Sequence, residues 1–180
     1  MKTLVQAHDL SFQLYISEEQ IRQRVKEMGL ALAEKFHGKR PVIISILNGG
    51  FIFAADLTRA CNINCEISFI KLSSYQDTSS TGKVVTLIGL DAEVKGREVI
   101  IVEDIVDTGE TLTQFLQQLD QLEPASVTLV AFLVKPEALQ GRIKVDYVGY
   151  NIPNKFVIGY GLDYNGAGRN LSGIYQLVED

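Results

Sequence analysis

Residues Val99–Leu112 read VIIVEDIVDTGETL, and the character of the chain changes three times inside that stretch. Val99-Ile100-Ile101-Val102 is an unbroken run of apolar β-formers, the pattern of a strand buried on both faces of a parallel sheet. Two carboxylates, Glu103 and Asp104, follow where such a strand is expected to end. Asp107-Thr108-Gly109-Glu110-Thr111 is a turn rich in hydroxyls. Beyond it Leu112, Phe115, Leu116 and Leu119 recur at i, i+3, i+4 and i+7, which predicts a helix over Thr111–Leu122. Acidic side chains and backbone N–H groups are therefore gathered between the end of a strand and the start of a helix. Ligands of open α/β sheets bind at that place, and a helix N-terminus favours phosphate.

Upstream, Ser17-Glu18-Glu19-Gln20 has the form of a capping box, and Ile21, Val25, Met28 and Leu32 give the helix Ser17–Phe36 an apolar face. Pro41 precedes a buried-strand run, Val42–Leu47. Asn48-Gly49-Gly50 is a sharp turn, and Phe51–Arg59 returns to helical periodicity. Glu66–Leu72 alternates like a strand. The loop Ser73–Gly82 has almost nothing to bury, and Lys83–Leu90 reads as the second arm of a long hairpin. Downstream, Val127–Val134 is a strand that Lys135-Pro136 ends abruptly. Val145–Tyr150 and Phe156–Tyr160 read as strands, and the latter enters a Gly- and Asn-rich loop, Gly161–Gly168, with Asp163 and Arg169 nearby. Alternating strands and helices over the first two-thirds predict an α/β fold with a mainly parallel sheet flanked by helices.

With 180 residues, 46% of them hydrophobic and 22% charged, the chain has the material for one α/β domain with a real core. A formal charge of −5 argues against a nucleic-acid binder, which would carry a basic patch or stripe. The start, MKTLVQAHDLSF, has no apolar run of signal-peptide length, and no stretch approaches a transmembrane span. A cytoplasmic protein is expected, without a membrane partner. Cys61 and Cys65 lack the spacing of a metal or redox pair and have no second pair to join, so they read as reduced packing residues.

The turn Asp107–Thr111 offers what a phosphate needs: successive N–H groups at a helix start, the hydroxyls of Thr108 and Thr111, and a glycine that permits close approach. It is neither GxxxxGK[ST] nor GxGxxG, which weakens nucleoside triphosphate and dinucleotide readings. Taken alone, the turn is accounted for equally well by Asp107 or Thr108 capping the helix. Glu103 and Asp104 shift that balance, because carboxylates at a buried strand's end cost several kcal/mol unless paired or near a cation. Vicinal sugar hydroxyls can donate to them, and Mg²⁺ would relieve their mutual repulsion.

These residues carry a resemblance. VIIVEDIVDTGETL is similar to the phosphoribosyl-diphosphate (PRPP) motif of type I phosphoribosyltransferases, most closely the hypoxanthine(-guanine) phosphoribosyltransferases. Leu47–Leu57 (LNGGFIFAADL) resembles the family's pyrophosphate loop, and Ser73-Ser74-Tyr75 the opening of its flexible catalytic loop. Phe132–Lys135, Asp146–Gly149 and the run through Asp163-Tyr164-Asn165 resemble its purine-binding part. The likeness spans nearly the whole chain, in the family's order.

The resemblance implies a single domain over 1–180, with a core at about 40–135, a hood from about 1–15 and 145–180, and a lid at about 73–82 that includes Ser74 and Tyr75. It implies Mg²⁺-dependent transfer of the phosphoribosyl group from PRPP to a 6-oxopurine base, giving IMP or GMP and pyrophosphate, by a homodimer or homotetramer. Asp107, Thr108, Gly109, Glu110 and Thr111 would hold the 5′-phosphate, and Glu103 and Asp104 the ribose hydroxyls, partly through the metal. Asp107 would also be the catalytic acid/base at purine N7. Asn48 and Gly49 would lie at the pyrophosphate, with Arg169 facing it. Lys135 would bind the 6-oxo group, Phe156 would stack on the ring in the run Lys155-Phe156-Val157, and Val157 and Asp163 would read the far edge. Asp163 would also help place a second Mg²⁺. Because Lys135 donates but cannot accept, 6-oxopurines are expected over adenine. Three positions depart from the family pattern: Asn48 replaces a frequent basic residue, in a Leu47–Asn48 bond that relatives would make cis; Ala167 replaces a bulkier residue; and Glu110 adds a negative charge beside the phosphate, so its side chain should turn away. Two other readings remain: a non-catalytic PRPP-sensing regulator of the same fold, and a different sugar-phosphate binder, such as a PRPP-synthesising or nucleotide-hydrolysing protein.

Overall fold

A computed structural model of the chain describes residues 3–74, 84–88 and 90–179; the expected lid from Tyr75 onward lies outside them. The chain opens with a hairpin, β1 (Leu4–Ala7) and β2 (Leu10–Ile16), followed by α1 (Glu18–Lys35). Next come β3 (Val42–Leu47), α2 (Phe51–Cys61), β4 (Glu66–Ser74) and β5 (Val84–Ile88). β6 (Glu98–Val106), α3 (Glu110–Asp120), β7 (Ser126–Val134) and a short α4 (Pro136–Leu139) follow. β8 (Tyr147–Asn151), β9 (Val157–Ile158) and β10 (Ile174–Leu177) complete the order.

The larger sheet has the order β5-β4-β3-β6-β7-β8. Its strands run parallel except β5, which returns antiparallel beside β4 as the hairpin reading expects. Both faces of the sheet are covered over its central strands β3, β6 and β7, as their continuous apolar runs require. Ile43, Ile100 and Val102 pack on the side of α1 and α2; Val42, Ile44, Val99 and Ile101 pack on the side of α3. At the start of α1, Gln20 N–H donates to the Ser17 hydroxyl and Ser17 N–H to the Gln20 side chain, completing the capping box. The second sheet is small and antiparallel, ordered β1-β2-β10-β9, and draws on both ends of the chain. Cys61 and Cys65 are free thiols, and burial pushes Cys61 up to about 11, which suits inert packing. No described helix is long and apolar enough to cross a membrane.

Two sequence expectations need correction. Glu103 and Asp104 do not follow the strand; they lie inside it, because β6 runs on to Val106. The neighbours explain this. β3 pairs with β6 only as far as Ser45 opposite Val102, whereas β7 continues beside β6 from Glu103–Ala131 to Val106–Val134. The β7 ladder carries the backbone past the acids while β3 parts from β6 and stays paired with β4 to Leu47, and a crevice opens between β3 and β6. The strand predicted at Phe156–Tyr160 is only Val157–Ile158; Phe156 precedes it, and Tyr160, with φ of 49°, belongs to the following turn.

Candidate active site

The strand order reverses between β3 and β6. From β3 the chain crosses through α2 to β4 on one side; from β6 it crosses through α3 to β7 on the other. The loops leaving these two strands therefore diverge, and ligands of open α/β sheets bind in the crevice so formed. Here the crevice holds a cavity of about 300 Å³ whose walls include Leu47, Glu103, Asp107, Thr108, Gly109 and Thr111.

The first turn of α3 faces this cavity with its N–H groups, which have no acceptors within the helix. The residue at the N-cap is Gly109, not Asp107 or Thr108, and it has no side chain to satisfy them. The backbone favours glycine at this N-cap. Its φ is +74°, and a Cβ would stand 2.8 Å from Leu139 Cδ1. The Asp107 carboxylate instead meets Lys135 Nζ at 2.7 Å, and the Glu110 carboxylate meets Arg142 Nη1 at 3.0 Å. Among the described residues the Thr108 and Thr111 hydroxyls have no partner. Plain helix capping by Asp107 or Thr108 is thereby set aside, and Glu110 is drawn toward Arg142.

Glu103 and Asp104 are consecutive residues of β6 whose carboxyls share a hydrogen bond, with Glu103 on the cavity wall. Burial pushes both carboxyls up, Glu103 well above the usual range because Asp104's charge and the hydrogen bond it gives to Asp104 add to the burial. Asp104 also accepts from the Ile105 N–H at 3.0 Å. The two carboxyls offer adjacent hard oxygen donors, and a divalent cation bound there would favour their charged forms. Among the described residues no group of three or more His, Cys, Asp or Glu side chains could hold a metal unaided, so Mg²⁺ here would take further ligands from substrate and water.

Across the crevice the Leu47–Asn48 peptide is cis, and Gly49 is packed from both sides. A Cβ on Gly49 would fall 1.5 Å from Asp104 Oδ2, and one on Gly161 would fall 2.1 Å from Gly49 O. Arg169 donates to Gly161 O at 2.6 Å and to Asp163 Oδ1 at 2.6 Å. Asp163 accepts in addition from Gly166 N–H at 2.7 Å. The C-terminal loop thus brings Arg169 and Asp163 together beside the Gly49 turn, already paired with each other.

The remaining expected residues are less tightly gathered. Lys135, at the end of β7, is only 8% exposed and closes the crevice through Asp107. Phe156 is 42% exposed and forms a tilted pair with Phe12 and an edge contact with Tyr164. Val157 is buried. Lys155 is bonded to Glu179 at 3.1 Å on a surface shared with Gln13 and Gln176, and no described contact joins it to Lys135 or Asp107. Ser74 ends β4, and Tyr75 falls outside the described residues. Arg142 was not foreseen. It stands in a connection whose local sequence carries no chemical pattern, and only the fold brings it to the turn.

The fold places an uncapped helix start, two acids and a lysine–aspartate pair at one topological switch point. A family model described as "Phosphoribosyl transferase domain" matches residues 16–165, and the chain belongs to this family, in its hypoxanthine(-guanine) branch. It is 43% identical over 157 residues to a hypoxanthine-guanine phosphoribosyltransferase of Lactococcus lactis, spanning 87% of this chain and 85% of that protein. It is 39% identical over 165 residues to one of Bacillus subtilis, spanning 91% of each. A crystal structure of a hypoxanthine phosphoribosyltransferase from Staphylococcus aureus superposes with a TM-score of 0.87 at 36% identity, over 92% of this chain and 91% of that one.

Proposed function

We propose that the protein is a purine-salvage enzyme that transfers the 5-phosphoribosyl group of PRPP to N9 of hypoxanthine or guanine, giving IMP or GMP and pyrophosphate. The observation that carries this reading is the Asp107–Lys135 pair standing over the uncapped start of α3. One crevice then offers donors for a phosphate, acids for sugar hydroxyls, and a proton-transfer group beside a cation. The relatives compared above are named phosphoribosyltransferases, and the sensing alternative gains no support from them.

In this reading the N–H groups of Glu110, Thr111 and their neighbours, with the Thr108 and Thr111 hydroxyls, receive the 5′-phosphate. Glu103 and Asp104 accept from the ribose 2′- and 3′-hydroxyls. The same two acids would hold Mg²⁺, which would supply positive charge toward the pyrophosphate. Gly49 lets that group lie against backbone, and Arg169 faces it. Bond breaking at the anomeric carbon builds an oxocarbenium-like state, which negative side chains on this side of the crevice favour. The incoming base breaks the Asp107–Lys135 pair: Lys135 turns its donors to the 6-oxo group, and Asp107 is left to exchange a proton at N7. An amino group at that position offers Lys135 no acceptor, so adenine is rejected. Phe156 stacks on the ring, and Val157 and Asp163 supply the far edge. The core at about 40–135 carries the sugar-phosphate half, and the hood at about 1–15 and 145–180 the base. A homodimer or homotetramer in the cytoplasm belongs to the same reading.

Incubation with PRPP, Mg²⁺ and each purine base, followed by chromatography for nucleotide and an assay for pyrophosphate, tests it. Hypoxanthine and guanine should be converted and adenine should not. No turnover with any 6-oxopurine would defeat the enzyme.

A further inference from the structure

The connection from β7 to β8 touches the phosphate turn at three successive points. Lys135 Nζ reaches Asp107 Oδ2 at 2.7 Å. Leu139 and Ile143 close on Gly109, where a Cβ would stand 2.8 Å and 3.4 Å from them. Arg142 Nη1 donates to the Thr108 carbonyl at 3.3 Å and to Glu110 Oε1 at 3.0 Å. Contacts at the start, middle and end of the turn thus come from one short segment, folded back by α4 and by left-handed residues Gln140 and Gly141 (φ of 51° and 71°).

From this we infer that Arg142 is a positioning residue for the 5′-phosphate: it neutralises Glu110, holds that carboxylate off the phosphate, and fixes the Thr108 carbonyl so that the N–H groups of the turn point into the cavity. Glu110 is the reason the clamp is needed. A carboxylate in the first turn suits the helix dipole, but it competes for the same field with a phosphate dianion. Glu110 lines the cavity and Arg142 does not, so Arg142 acts on the ligand through Glu110 and the turn. An exposed ion pair adds little to stability, which leaves the electrostatics of the turn as its principal effect. The inference rests on the turn being the 5′-phosphate site.

IMP and inosine differ only in the phosphate, so the ratio of their dissociation constants, measured by calorimetry, isolates the turn. In the wild-type protein IMP should bind far more tightly. Arg142→Gln should reduce that ratio about tenfold, with inosine affinity and the thermal midpoint little changed. Arg142→Lys should recover part of the loss, and Glu110→Gln placed in the Arg142→Gln protein should recover more than Glu110→Gln changes the wild type. The KM for PRPP should rise in Arg142→Gln while the KM for hypoxanthine stays within twofold. A wild-type ratio near one removes the phosphate site itself and this inference with it. A large wild-type ratio left untouched by Arg142→Gln, or additive effects of the two substitutions, overturns the role of Arg142 alone. Should Arg142→Gln fold poorly, the comparison of Arg142→Lys with the wild type and the double variant decides in the same terms.

Discussion

The two lips of the crevice are built on different terms. On the β6 side the polar groups ride on a strand and the helix that follows it. They include two carboxyls that burial has pushed up and a helix start left uncapped. On the C-terminal side the charged groups ride on a loop and have already found each other, Arg169 with Asp163 at 2.6 Å, while Phe156 stands exposed. The first lip holds unmet polar demand that a ligand can satisfy. A ligand at the second must exchange one set of partners for another. Affinity should therefore come mostly from the β6 side, and selectivity and turnover from the groups that re-pair.

The largest effect should come from the one acid of the β6 side that already holds a cation, Asp107 with Lys135. Asp107→Asn keeps the shape of the turn but removes the proton-transfer group, and general acid–base loss lowers kcat by roughly 10²- to 10⁴-fold. IMP should bind within about threefold of wild type by calorimetry, because the phosphate is held by backbone. Equal losses in kcat and in IMP affinity would make Asp107 a structural part of the turn and erase the contrast.

Arg169→Gln comes next. If the Asp163–Arg169 pair opens to meet pyrophosphate, losing one preorganised cation should cut kcat by about ten- to a hundredfold and leave the KM for hypoxanthine near its wild-type value. Steady-state kinetics with both substrates varied separates the cases. A matching rise in the KM for the base would mean that the pair only shapes the loop.

How far these features were legible in the sequence follows the same division. The β6 side could be read directly, because an apolar run, a hydroxyl-rich turn and a 3.6-residue period are local signals. The capping box at Ser17 and the hairpin of β4 and β5 were local too. The position of the acids within the strand, and not after it, depends on where β3 parts from β6 while β7 stays beside it, and β6's own residues do not record that. The C-terminal side was legible only through its resemblance to a family. Its strands are short: β9 has two residues and β10 four. Pairing with β2 from the opposite end of the chain leaves no periodicity to find. The bonds of Lys135 to Asp107, Arg142 to Glu110 and Tyr160 to Asp56 join residues far apart in sequence, and nothing in the sequence around any of them announces the contact.

Phe156→Ala should have a smaller effect confined to the base. Stacking of a base on an aromatic ring is worth about 1–3 kcal/mol, so the KM for hypoxanthine should rise about tenfold while the KM for PRPP moves less than twofold. The ring is 42% exposed, so thermal stability should fall only slightly. A rise confined to PRPP would place the ring away from the base and shift the purine side of the crevice.

The smallest effect bears most directly on the unmet demand of the β6 side. Glu103→Gln keeps a donor for Asp104 but removes a carboxyl that burial and Asp104's charge hold well above its usual range. At pH 4 both the folded and the unfolded wild type keep this proton, and the substitution should change stability little. As pH rises from about 4.5, the unfolded chain releases the proton while the folded protein retains it, so the wild type loses stability by up to about 1.4 kcal/mol per pH unit until the folded carboxyl itself ionises. The variant escapes that loss. Urea midpoints of the unliganded proteins from pH 4 to 8 should therefore separate with rising pH, the variant the more stable, while its IMP affinity falls because a sugar-hydroxyl acceptor is gone. A separation that stays constant with pH would show that Glu103 is not strained in the unliganded protein. The β6 side would then gain its affinity from the helix start alone, without a contribution from relief of its buried acids.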